Sequence, residues 1–166
     1  MPAMPISGND MARFSGPQTF MRLPEAATAA GIDVGFIGIP MDIGTSWRSG
    51  TRFGPKQLRQ ESAMIRPYNI QTGAAPFDAL ECADLGDVAV NTFNLAETIR
   101  LITETYDAHL THDVIPMGLG GDHTMTLPIL RSIAKKHGAV ALVHVDAHAD
   151  VNDEMFGERE THGTVF

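Results

Sequence analysis

Asp146, His148 and Asp150 alternate along one short stretch of this chain, and His123 closes Gly120-Gly121-Asp122-His123 upstream of it. Carboxylate oxygens and imidazole nitrogens in one set suit Mn²⁺, Zn²⁺, Ni²⁺ or Fe²⁺ better than Ca²⁺ or Mg²⁺. A spacing of two places these side chains on one face of an extended backbone, and Ala147 and Ala149 are small enough to pack behind it. A carboxylate can bridge two cations, so one segment can serve two metals. Polar residues also gather in ordinary loops after strands. Two acids and two histidines around one strand edge are harder to explain that way. Asp122 is expected beside the ligand set, holding His123 or a loop amide. Gly118, Gly120 and Gly121 lack both the Gly-Lys-Ser/Thr ending of a phosphate loop and the third glycine of a dinucleotide fingerprint, so they are read as permitting a tight turn.

The elements around these residues alternate in type. Residues 32–39 (IDVGFIGI) form an apolar, β-rich run ended by Pro40 and predict a buried strand. A loop rich in Gly, Ser and Thr follows over 42–54, and Pro55 opens a helix to about residue 64. A weaker strand is expected over 80–85. Asn94 caps an expected helix over 95–110 with Leu95, Ile99, Ile102 and Tyr106 on one face. A third strand is expected over 113–119, with Pro116 a poor central residue. A helix over 125–136 ends in Lys135, Lys136 and His137 before Gly138. A final strand is expected over 139–145. It includes His144, which is read as a packed, hydrogen-bonded residue rather than a ligand. Strands alternating with helices imply a largely parallel α/β sheet. The strand–helix–strand unit over 113–146 brings both strand C-termini to one sheet edge, where ligands bind in such sheets. Topology therefore gathers His123, Asp146, His148 and Asp150.

Bulk properties remove several classes. The 166 residues carry a net charge of −8, which argues against nucleic acid as a partner. No basic amphipathic helix or apolar run of about 18 residues is present, so no membrane partner is expected. The single cysteine, Cys82, lies in an expected strand and suits a reducing compartment. Residues 1–24, rich in Pro, Gly, Ser and Met, are read as an arm that wraps a neighbouring surface or stays disordered, and 25–166 as the folded part.

The Gly-Gly-Asp-His and Asp-Ala-His-x-Asp segments resemble two signatures of the ureohydrolase (arginase/agmatinase) family. Residues 34–55, with GIP-x-D-x-G and Gly-Thr-Arg-Phe-Gly-Pro, resemble its agmatinase-type branch, and the likeness covers residues 31–166. The resemblance implies a three-layer α/β/α fold and two Mn²⁺ per subunit, held by His123, Asp146, His148 and Asp150 with Asp146 bridging. It also implies a cytoplasmic homo-oligomer, a trimer or hexamer. Members are roughly twice as long, and their later Asp-x-Asp signature has no counterpart after Asp150. The chain is therefore expected to be an N-terminal half, inactive alone.

Guanidine hydrolysis needs an activated water, whose pKa two cations can lower, and a proton for the leaving amine. His162 in Thr161-His162-Gly163 resembles the family's proton-shuttling histidine, a role that imidazole suits by its reference pKa. Residues 157–161 (GERET) lack the arginase-type head-group readers. The segment DAHADVNDEMF and the neighbourhood of Tyr68 and Asn69 look closest to guanidinobutyrase and guanidinopropionase. The expected substrate is thus 4-guanidinobutanoate or 3-guanidinopropanoate, with agmatine as the alternative. Asn152, Trp47 and Arg48 are candidate substrate contacts. Arg48 and Arg52 would pair with a substrate carboxylate, unless they brace their own loop or an interface. Two further readings are a non-catalytic metal-binding or interaction module and a formiminoglutamase.

Overall fold

The structure is a computed structural model that describes residues 4–166. The first three residues of the expected arm lie outside the described residues. Three parallel strands form the sheet: β1 (Val34–Ile39), β2 (Cys82–Asp87) and β3 (Ile115–Gly120), in the order β2-β1-β3. Val34 lies opposite both Cys82 and Ile115, so the strands start level and end level. β1 is central and buried along its whole length, which explains its nearly continuous apolar run. Pro116 falls in β3, an edge strand of this sheet, where a missing N–H donor costs least.

Three helices cover the sheet: α1 (Gly54–Ser62), α2 (Leu95–His109) and α3 (Thr126–His137). Pro55 sits in the first turn of α1, as expected. Asn94 caps α2, its side-chain oxygen accepting from the Glu97 amide at 3.1 Å. Gly138 ends α3 with φ 79°, and its amide donates to the Ala134 carbonyl at 2.8 Å.

Alternate residues of β1 serve two faces. Ile37 and Ile39 pack with Met41 and Val88 against Ile102, Tyr106 and Leu110, with Ile129 and Ile133 of α3 at the margin. Val34 and Phe36 face the other way and pack with Cys82 against Phe20, Leu23 and Phe77. This is a layer of helix, a parallel sheet and a second layer, the α/β/α arrangement that the sequence implies. The end of the arm packs on the chain's own sheet, because Phe20 and Leu23 are each 1% exposed.

A buried ion pair locks that second layer. Arg59 of α1 donates to both oxygens of Asp84 at 2.7 and 2.9 Å and to Asp87 at 2.6 Å, while its guanidinium lies 4.1 Å from the centre of the Phe20 ring. Asp84 also accepts from the amides of Phe20 and Gly86.

The expected strand over 139–145 is absent. Those residues have no strand pairing among the described residues, and Val143 and Val145 are 90% and 92% exposed. An alternating apolar run becomes a strand only where a neighbour completes its hydrogen-bond ladder, and none of the three strands pairs with it. His144 is consequently not a buried-strand residue.

Candidate metal centre

β3 ends at Gly120, and its last turn delivers His123. Gly121 has φ 20° and no room for a side chain: a Cβ there would stand 2.4 Å from the Ile39 carbonyl oxygen and 2.6 Å from that of Met41. The chain must therefore turn closely over the end of β1. Asp122 is 5% exposed and spends its oxygens on two loop amides, Thr124 at 2.8 Å and Gly44 at 2.9 Å. It fixes the turn that carries His123 and ties it to the loop after β1.

His123 Nδ1 lies 2.8 Å from Asp150 Oδ2, across 27 residues of sequence. Asp150 reaches this position with φ 53°. Donor atoms of His123, His144, Asp146 and Asp150 all fall within 4.8 Å of one another. Asp146 stands between two imidazoles: its Oδ2 is 3.6 Å from His144 Nε2 and its Oδ1 is 3.6 Å from His148 Nδ1. The His148 amide, which donates to Asp146 at 2.9 Å, holds that carboxyl below the usual carboxylate range, with the imidazoles of His144, His123 and His148 adding to the effect. Asp146 is thus an anion suited to a cation.

The structure brings His123, Asp146 and Asp150 together as the sequence leads one to expect. His148 is 81% exposed at its side chain and stands outside the tight group, although it lines the same cavity of about 490 Å³. His144 takes the inner place. Its Nε2 is buried with no hydrogen-bond partner, a costly state for a polar atom and one that a bound cation would relieve. The sequence carried a signal for this residue, since 144, 146, 148 and 150 form one run of period two. The reading of 139–145 as a buried strand concealed it. His144 and His123 stack at 5.4 Å between ring centres, and Phe166 lies edge-on to both.

His162 and Met155 line this cavity and a second one of about 540 Å³ beside it. His162 Nε2 is 2.9 Å from Ser46 Oγ. No spacing rule could have paired two residues 116 apart in sequence. Asn152 holds the loop of His162 through its amide and its side chain, both donating to the Gly163 carbonyl at 3.2 and 3.3 Å. Trp47 is 86% exposed and Arg48 is exposed; neither lines either cavity. Arg52 braces its own loop: its Nε donates to Asp42 at 2.6 Å, and the guanidinium holds that carboxyl below its ordinary range.

Known proteins share this arrangement of sequence and fold. The chain is 63% identical over 165 residues to the guanidinobutyrase of Pseudomonas aeruginosa, covering 98% of this chain and 52% of that protein. It is 51% identical to a mitochondrial agmatinase of Gallus gallus, covering 98% of this chain and 48% of the relative. The solved proclavaminate amidino hydrolase of Streptomyces clavuligerus superposes with a TM-score of 0.87 at 40% identity, covering 92% of this chain and 50% of that one. The chain therefore spans about half the length of the curated relatives it matches. Residues 32–166, which hold the sheet, the donor cluster and His162, match the profile described as the Arginase family, and the chain belongs to that family.

Proposed function

We propose that this chain contributes to an enzyme that hydrolyses a linear guanidino compound to urea and an amine, using two Mn²⁺ per subunit. The observation that carries this reading is the convergence of His123, His144, Asp146 and Asp150 within 4.8 Å, in a cavity that His162 also lines. The mixed carboxylate and imidazole donors, and the orphaned His144 Nε2, fit a transition-metal cation. His123, Asp146 and Asp150 would hold one ion, with His144 Nε2 beside it, and Asp146 and His148 would hold the other. The ions, when bound, supply positive charge that lowers the pKa of a shared water and offsets charge developing at the guanidine carbon.

The chain's own residues do the rest. Asp146 presents one oxygen toward His144 and the other toward His148, an arrangement that would suit a bridging carboxylate. Asp122 fixes the turn of His123. His162 passes a proton to the leaving amine from Nδ1, the nitrogen that Ser46 does not engage. The enzyme is proposed to be a cytoplasmic homo-oligomer, and a free, buried Cys82 suits a reducing compartment.

The likeness to a guanidinobutyrase supports 4-guanidinobutanoate as substrate. Arg52, committed to Asp42, and Arg48, which lines neither cavity, give no support to a carboxylate tail, so that preference rests on the likeness. Agmatine is the second reading, because Glu158 and Glu160 line the adjoining cavity and suit an ammonium tail. The test is kcat/KM for 4-guanidinobutanoate, 3-guanidinopropanoate, agmatine and arginine, measured on the Mn²⁺-loaded enzyme of full family length. The expected result is a preference for 4-guanidinobutanoate of about tenfold, the worth of one charge-assisted contact. A preference for agmatine would select the second reading, and no urea from any of the four would overturn the function.

A further inference from the structure

We propose that Ser46 is a positioning residue for His162, an inference that rests on the reading of His162 as proton donor. An imidazole in an open loop can rotate about its Cβ–Cγ bond and present either nitrogen to the cavity. The bond between Ser46 Oγ and His162 Nε2, at 2.9 Å, removes that freedom and leaves Nδ1 for the reaction. In the imidazolium Nε2–H donates to Ser46 Oγ and Nδ1–H is the proton passed to the amine. Loss of that proton leaves the neutral ring with Nε2–H still donating to the serine oxygen and Nδ1 free to be protonated again.

Ser46 can do this because its loop is held at both feet. At one end the Gly44 amide donates to Asp122 at 2.9 Å, and the approach is so close that a Cβ on Gly44 would stand 2.1 Å from Thr124 Oγ1. At the other end Asp42, 3% exposed, accepts from the Gly50 amide at 2.6 Å and from Arg52 at 2.6 Å. The loop of His162 is fixed in turn by Asn152 on Gly163 and by the Thr161 amide donating to Thr164 Oγ1 at 2.9 Å. Asp122 is common to both sides of the site. It orders the turn that carries the metal-ligand candidate His123 and the loop that carries Ser46.

The experiment uses the full-length, Mn²⁺-loaded enzyme with Ser46→Ala, Ser46→Thr and His162→Ala. Four quantities are read: kcat, KM, metal content, and the rate at which diethyl pyrocarbonate modifies His162, followed by peptide mass spectrometry. Ser46→Ala should lower kcat about three- to tenfold, in keeping with the loss of one neutral hydrogen bond, with KM and metal content unchanged. His162 should react several-fold faster, since its Nε2 is no longer engaged. Ser46→Thr, which keeps the hydroxyl, should restore both values. His162→Ala should lower kcat by about 10²–10⁴-fold. If His162→Ala has that effect while Ser46→Ala changes neither kcat nor His162 reactivity, the positioning role is overturned and the proton-donor reading stands. The role is also overturned if Ser46→Ala raises KM alone, or if Ser46→Thr behaves like Ser46→Ala. If His162→Ala leaves kcat unchanged, the proton-donor reading itself fails.

Discussion

Asp146 carries the most specific demand at the scale of single residues. Its two oxygens face different imidazoles, His144 and His148, each at 3.6 Å. If Asp146 holds both ions, as proposed, removing it should cost more metal than removing any one histidine. Asp146→Ala in the full-length enzyme is expected to lose most of its Mn²⁺ by elemental analysis, while His148→Ala loses about one ion of two. Undiminished metal in Asp146→Ala would sink the bridging role. The residues that surround the site were partly visible in the sequence. His123, Asp146, His148 and Asp150 stand out by type and spacing. The exposure of His148 and the inward place of His144 do not, because both depend on whether residues 139–145 find a strand partner.

At the scale of elements, the Asp84–Arg59 pair joins β2, α1 and the turn at Phe20. Burial pushes the Asp84 carboxyl up. The Arg59 bonds and the amides of Phe20 and Gly86 pull it down further, so that it ends below its ordinary value. A carboxyl lowered in the folded state favours folding when ionised. Its contribution is complete above the unfolded value of about 3.9, and is lost as pH falls through the lower folded value. Asp84→Asn should cost about 3 kcal/mol at pH 7, at the low end for a broken buried pair because Asp87 still accepts from Arg59. Urea midpoints at pH 7 and pH 3 check this. The gap between wild type and variant should narrow at pH 3, and an equal gap at both would mean that the pair carries no pH-dependent stability. None of this was visible in the sequence, where Asp84 and Arg59 are unremarkable polar residues 25 apart. The helices were visible, since their caps are local: Asn94, Pro55 and Gly138 act within one turn of themselves.

At the scale of the whole molecule, the sheet stops at β3. Among the described residues the β3 edge is unpaired, and Ile115 and Met117 on it are 65% and 45% exposed. The apolar run after α3 adds Leu142, Val143 and Val145 to the exposed surface. Among the described residues no helix is long and apolar enough to cross a membrane. An open edge with an apolar flank is a template for further strand pairing. The 166-residue chain on its own should therefore self-associate. Its weight-average mass in sedimentation equilibrium should rise with concentration, and Val143→Lys with Val145→Lys should reduce the rise. A strictly monomeric chain over the same range would show that this edge is blunted in solution.

The sequence alone determined what is local. It specified six of the seven expected elements to within about two residues, the α/β alternation, and the run of donors with a period of two. Each follows from interactions between residues a few positions apart: side-chain alternation, helix caps and proline stops. It also led to the expectation that His123 and the 146–150 segment meet, and they do, although the second strand of the crossover on which that expectation rested is absent. Tertiary structure alone decided the rest. Whether 139–145 forms a strand depends on a neighbour that no local pattern supplies. Which imidazole turns inward depends on that outcome. The fate of Arg52 was settled by Asp42, and the anchoring of His162 by Ser46, through contacts whose partners are chosen by packing rather than by spacing.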